Sequence, residues 1–189
     1  MKQDEDFNCI DRVLNGQVHA YAQLVEKYQD MVFTIVFRVL QHQHDAEDVA
    51  QQVFLKAFNG LQGFNREARF ATWLYRIAYN TAISEQRKSG RNKLMKHDQS
   101  LIEKRASTLA DEEIMEEDES LETMLMRALA QLKPDENALI GMYYTQSLRV
   151  EEISQIIGLS VSNVKVKLFR TRKKLEELIE KMRIQTVNR

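Results

Sequence analysis

The stretch LRVEEISQIIGLSVSNVKVKLFRTRKKLEELIEKM, residues 148–182, constrains the fold more tightly than any other part of this chain. Val150 to Ile157 carries a helical apolar pattern and stops at Gly158, a residue able to take the left-handed φ of a helix C-cap. Leu159 follows, and Ser160 is placed to cap a second helix through its hydroxyl. Ile153, Ile156, Ile157, Leu159, Val164 and Leu168 supply a shared apolar core for the two. Two short helices joined by a tight glycine turn make a helix-turn-helix pattern, whose second helix lies in the major groove with its first residues at the base edges.

That second helix offers Ser162, Asn163, Lys165, Val166, Lys167, Phe169 and Arg170 near its start. Lys165 and Arg170 are fitted to donate to guanine O6 and N7, and Val166 or Phe169 to touch a thymine methyl. Arg172, Lys173 and Lys174 come later and suit phosphates, which fix register without reading sequence. The competing structural reading is a charged helix continuing into a short coiled coil, since KKLEELIEKM holds good i,i+4 pairs.

The net charge of −1, from 27 Lys and Arg against 28 Asp and Glu, argues at face value against a nucleic-acid partner. Its distribution argues the opposite. Residues 87–105 carry a net +5 and residues 163–189 a net +6, separated by residues 106–126, which hold 8 acidic groups and no Lys or Arg. Basic blocks of this kind fit nucleic-acid contact. The acidic run DEEIMEEDES repels itself and suits a tether, so a charged linker is expected at 89–119. It divides the chain into an N-terminal unit, 1–88, and a smaller C-terminal unit, 120–189.

Both units read as helical, and an all-α fold of two small domains is expected. One Pro and six Gly in 189 residues are too few turn-formers for a β protein. Phe7 to Leu14 forms a short helix stopped by Asn15-Gly16, and Ala20 to Leu40 a long one. In DAEDVAQQVFLKAF, residues 45–58, the apolar positions keep i, i+3, i+4, i+7 spacing, with Asp45 as the expected N-cap. Its polar face holds Asp45, Asp48, Gln51, Gln52 and Lys56, with Leu55 among them. The helix Ala68 to Lys88 sets Phe70, Trp73, Leu74 and Ile77 on an apolar stripe, and Arg76, Tyr79, Asn80 and Arg87 off it. Aromatics beside cations suit unpaired bases; Phe70 and Trp73, on the apolar stripe, suit a core better. Further on, Leu121 to Leu132 is amphipathic, and Pro134 opens another helix at its first position.

Other chemistries find no support. The lone Cys9 excludes a disulfide framework and lacks a basic neighbour to activate it. His42 and His44, beside Asp45 and Glu47, lack the i,i+4 geometry of helical zinc ligands, so no metal site is expected. No phosphate loop, nucleophile elbow or carboxylate dyad is present, and no enzyme activity or cofactor is expected. No apolar run approaches a membrane span, and the acidic N-terminus is unlike a secretory signal, so a soluble cytoplasmic protein without membrane insertion is expected.

Taken together, DAEDVAQQVFLKAF, FATWLYRIAYNTAI and LRVEEISQIIGLSVSNVKVKLFRTRKKL resemble three segments of the sigma-70 family of bacterial RNA polymerase initiation factors, in its extracytoplasmic-function (ECF) branch. The likeness spans about Phe7 to Met182 apart from the linker. It implies that the first segment binds core polymerase at the β′ clamp helices through Asp45, Asp48, Gln51, Gln52 and Leu55, with the β flap a further contact of the polymerase. The second would recognise and melt the minus-ten element, holding a flipped base with Lys56, Phe64, Asn65, Phe70, Arg76 and Asn80; Tyr79 and Arg87 join that surface. The third would read the minus-thirty-five element. Promoter DNA and a masking anti-sigma factor are the other implied partners. The chain departs from the family pattern at Gln52, where an acidic residue is usual, and at Val166, where a small polar one is common. It also has Lys165 and Lys167 where Arg is frequent, and Lys is a point charge rather than a fork. A stand-alone helix-turn-helix regulator of duplex DNA is the alternative, and a protein-binding adaptor a third reading.

Overall fold

The computed structural model describes residues 2–97 and 121–187, with side-chain surroundings for 5–89 and 121–184. Most of the expected linker, 98–119, lies outside the described residues.

The described chain is helical with no strand. Its helices are α1 (Lys2–Leu14), α2 (Tyr21–Leu40), α3 (Gln43–Gly60), α4 (Phe70–His97), α5 (Leu121–Ala130), α6 (Pro134–Ile140), α7 (Val150–Ile157) and α8 (Val161–Val187). Short 3-10 turns at Val18–Ala20 and Leu61–Gly63 join the first four, and a π turn at Gly141–Thr145 continues α6.

Local chemistry explains most boundaries. Gly158 takes φ +71 and closes α7 in the left-handed conformation, its N–H donating to the Ser154 carbonyl at 3.0 Å. Ser160 Oγ accepts from Asn163 N–H at 3.3 Å and opens α8. Pro134 sits in the first turn of α6, where its missing N–H costs nothing. Two expectations need correction. The N-cap of α3 is His42, whose Nδ1 accepts from the Asp45 N–H at 3.4 Å, so Asp45 lies inside the first turn. There a carboxylate still favours the helix through the dipole. α4 also runs nine residues beyond the expected helix end at Lys88, to His97; KSGRNKLMK is rich in helix formers, and one Gly does not stop it.

In the N-terminal half, α2 packs on both α3 and α4, with α1 closing one end. Val32, Ile35, Val36 and Val39 meet Val49, Val53, Leu74 and Ala78, all buried. Beneath the loop after α3, Phe64, Phe70 and Trp73 form an aromatic cluster with centroids 5.1–5.8 Å apart, and Phe7 reaches Phe64 at 6.2 Å. Asp6, nearly buried, is held by Lys27 Nζ at 2.5 Å and the Tyr28 hydroxyl at 2.6 Å, so α1 is pinned to α2 by a satisfied carboxylate.

The two halves do not stand apart. α6 packs against α2, and α7 lies along α4. A single buried apolar cluster includes Val36 and Tyr75 from one half and Leu139, Met142, Ile153 and Ile156 from the other.

Candidate polymerase and nucleic-acid interfaces

On α3, 100° per residue turns Ala46, Val49, Val53 and Ala57 into the core. The same rotation sets Asp48, Gln51, Gln52 and Leu55 on the opposite side, with Asp45 beside them. All five are exposed, and Leu55 shows 65% of its surface to solvent at the middle of the ridge. This leucine, ringed by carboxylates and amides and diametrically opposite the core face of its own helix, takes no part in the buried cluster of the described residues. His44 Nδ1 lies 3.4 Å from an Asp48 carboxylate oxygen on the same ridge.

The second surface lies on α4. Arg76, Asn80, Ser84 and Arg87 follow i, i+4, i+8, i+11 spacing and form one exposed stripe. Lys56 joins it from α3, donating from Nζ to Thr81 Oγ1 at 3.2 Å. Asn65 is exposed in the preceding loop, where its Oδ1 accepts from the Glu67 N–H at 3.4 Å and shapes the turn. Phe64 and Phe70 are different. At 6% and 1% exposure they are packed into the aromatic cluster, and no face of either ring is open to a base. In the free chain they support the loop from beneath. The apolar stripe that carries Phe70 is the physical reason, since a ring surrounded by Tyr28, Phe64 and Trp73 is already desolvated. Tyr79 lies at the edge of the α6 contact, half-buried. Burial pushes its hydroxyl pKa up, the nearby Asp135 carboxylate adds to the rise, and Arg87 opposes it.

The third surface is the start of α8. Val164, Leu168 and Thr171 point into the core, so Ser162, Val166, Phe169 and Lys173 face directly outward, with Asn163 and Arg170 beside them. Val166 is 48% and Phe169 63% exposed. Lys165 and Arg172 occupy one flank. Among the described residues, Lys165, Arg170, Arg172 and Lys173 form no ion pair. Lys167 and Lys174 occupy the other flank and are engaged: Lys167 Nζ lies 2.5 Å from Asp135 Oδ2, and Lys174 Nζ 2.6 Å from Glu136 Oε2. Burial alone would raise both carboxyl pKa values. The lysine partners, with backbone N–H donors, outweigh it and hold both below the usual carboxylate range. In the free chain these two amines clamp α8 to α6.

Sequence reasoning missed one further cluster. Arg38 reaches from α2 across to the C-terminal half, donating from Nη1 to Asn137 Oδ1 at 3.2 Å and from Nη2 to Thr145 Oγ1 at 3.0 Å. Its position on the polar face of α2 gave no hint of a partner almost a hundred residues away. No group of three or more His, Cys, Asp or Glu side chains could hold a metal ion among the described residues. No described helix is long and apolar enough to cross a membrane.

Two family models match this chain: Sigma-70 region 2 over residues 24–92 and Sigma-70, region 4 over residues 122–175. The RNA polymerase sigma-H factor of Pseudomonas aeruginosa is 28% identical over 189 residues, covering 95% of this chain and 96% of that one. The ECF RNA polymerase sigma factor SigW of Bacillus subtilis is 30% identical over 174 residues, covering 89% and 93%. Among solved structures, the sigma factor RpoE in complex with the anti-sigma factor NepR from Bartonella quintana superposes with a TM-score of 0.65 at 22% identity, over 85% of this chain and 96% of that one, which is a likeness of fold. The first region ends within α4, and the second begins in α5 and takes in the whole helix-turn-helix. The chain belongs to the sigma-70 family of RNA polymerase sigma factors, in its extracytoplasmic-function branch.

Proposed function

We propose that the chain is a dissociable initiation factor, working in the cytoplasm, that gives core RNA polymerase its promoter specificity and performs no covalent chemistry itself. The α3 ridge of Asp45, Asp48, Gln51, Gln52 and Leu55 docks on the β′ clamp helices, and the C-terminal unit is held near the β flap. Lys56, Asn65, Arg76, Asn80 and Arg87 meet the minus-ten element. Extruding a base costs a few kcal/mol of unstacking, which polar contacts along this stripe offset. The outward face of α8 reads the minus-thirty-five element: Lys165 and Arg170 donate to base edges, Val166 and Phe169 meet thymine methyls, and Arg172 and Lys173 hold phosphate. An anti-sigma factor regulates its availability.

The observation that carries this reading is the α3 ridge. A stand-alone DNA-binding regulator needs the α8 face but has no use for an exposed leucine framed by acids and amides on a second unit. Asp48→Lys combined with Leu55→Ala should abolish capture of the chain by core polymerase, while helix content stays that of the wild type. Unchanged capture by the doubly substituted chain would remove the ridge from the reading.

A further inference from the structure

Arg66 and Asp11 each occupy a place that the local backbone disfavours. Arg66 has φ +62, in the left-handed region that penalises an L residue with a side chain. Asp11 lies in the last turn of α1, where the helix dipole opposes a carboxylate. A contact between residues 55 apart in sequence offsets both. Arg66 Nη1 donates to Asp11 Oδ2 at 3.3 Å, and Nη2 donates to Asp11 Oδ1, a two-pronged fork. Phe7 lies one turn before Asp11 on the same face of α1. The Arg66 guanidinium sits over its ring, 5.5 Å from the centroid, and the same ring reaches Phe64 at 6.2 Å. α1 is in turn fixed to α2 by Asp6 with Lys27 and Tyr28, and by buried Ile10 and Val13. The loop of residues 64–69 is therefore held at two points, by Phe64 in the aromatic cluster and by Arg66 on α1. Between those points stands Asn65, which is exposed. Its Oδ1 is taken by the Glu67 N–H, which leaves its Nδ2 donors for a ligand.

We propose that Arg66 is a positioning residue for reading the minus-ten element: clasped by α1, it holds the loop in the one form that presents Asn65 to an unpaired base. This rests on the minus-ten reading of the surface given above. A loop free to adopt several forms presents Asn65 correctly for only part of the time, and apparent affinity for the matching base falls by that fraction. Mismatched bases, which gain nothing from Asn65, are bound as before. Loss of the clasp therefore lowers discrimination rather than binding in general, and Arg66 acts without touching DNA itself. The competing use of an exposed cation at this loop is a phosphate contact. The structure favours the clasp, because the guanidinium charge is met by Asp11 and its face by Phe7.

The test uses holoenzyme assembled from core polymerase and the full-length chain, with single-stranded DNA oligonucleotides of random sequence. Sequencing the bound pool gives the base preference at each position, and fluorescence anisotropy across a salt series gives total affinity. The position that Asn65 reads is the one whose preference Asn65→Ala removes. At that position Asp11→Ala should lower the preference about two- to fivefold, the effect expected of one exposed two-pronged ion pair. Preferences at other positions, and binding to a duplex carrying only the upstream element, should stay at wild-type values. Asp11→Glu should keep the wild-type preference. Asp11→Arg combined with Arg66→Asp should restore most of it, since the pair re-forms with its charges exchanged and Asp tolerates a left-handed φ. Full preference retained in Asp11→Ala, or in Asn65→Ala, would overturn the positioning role and leave the minus-ten reading standing. Arg66→Gly keeps the left-handed backbone and removes only the side chain. If it weakens all sequences equally and lowers the salt slope by about 0.7, Arg66 is a phosphate contact and the positioning role is overturned. If wild-type holoenzyme shows no base preference in single strands, the minus-ten reading falls and the role of Arg66 falls with it.

Discussion

Replacing Lys173 and Lys174 by alanine, one at a time, separates two roles that look identical in sequence. Lys174 Nζ lies 2.6 Å from Glu136 Oε2, with the two side chains 37% and 19% exposed, whereas Lys173 faces solvent beside Phe169 and Arg170. A half-exposed pair of this kind is worth about 0.5–1 kcal/mol. Glu136 also accepts from the Lys133 N–H at 2.9 Å, so it keeps one donor when Lys174 is lost. Lys174→Ala should therefore lower the melting temperature by roughly 1–4 °C and leave the salt dependence of DNA binding nearly unchanged. Lys173→Ala should do the reverse. Loss of one phosphate contact reduces the slope of log K against log salt by about 0.9, which between 50 and 200 mM salt amounts to about 3.5-fold. The assay is fluorescence anisotropy of holoenzyme on a duplex carrying the upstream element, across a salt series, beside thermal unfolding of each free variant. If Lys174→Ala reduces the slope as much as Lys173→Ala, the clamp between α8 and α6 is not what occupies that amine.

The buried placement of Phe70 predicts that Phe70→Ala costs about 3–5 kcal/mol of stability by urea unfolding; a variant folded as stably as wild type but unable to open promoters would return the ring to the base pocket. Asp135 and Glu136 have folded pKa values below their ordinary 3.8 and 4.5. Their contribution is therefore complete above about pH 5 and is lost as pH falls through 4.5 and 3.8 toward the folded values, because the unfolded chain takes up protons first. Urea titrations across that range should show the decline, and Lys167→Ala with Lys174→Ala should flatten it; an equally steep decline in the double variant would assign it to other groups.

The elements were largely legible in the sequence because their signals are local. Gly158 and Ser160 punctuate the helix-turn-helix through their own backbone and hydroxyl chemistry, and the outward position of Leu55 follows from a 3.6-residue period. What escaped depends on partners distant along the chain. Arg38 reads as one more cation on a polar face until α6 is placed beside it. Lys167 and Lys174 are indistinguishable from their DNA-facing neighbours until the rotation of α8 is fixed by Val164, Leu168 and Thr171. At Phe64 and Phe70 a stacking platform and a core cluster use the same residues, and it is burial that places both rings in the cluster.

The central claim is that this chain confers promoter-dependent initiation on a polymerase that lacks it. Run-off transcription with purified core polymerase, on genomic templates from the same bacterium, measures this directly. The account predicts discrete transcripts from defined start sites when the chain is added and none without it, with those transcripts lost in the Asp48→Lys, Leu55→Ala chain. Absence of any chain-dependent start site across such templates would contradict it.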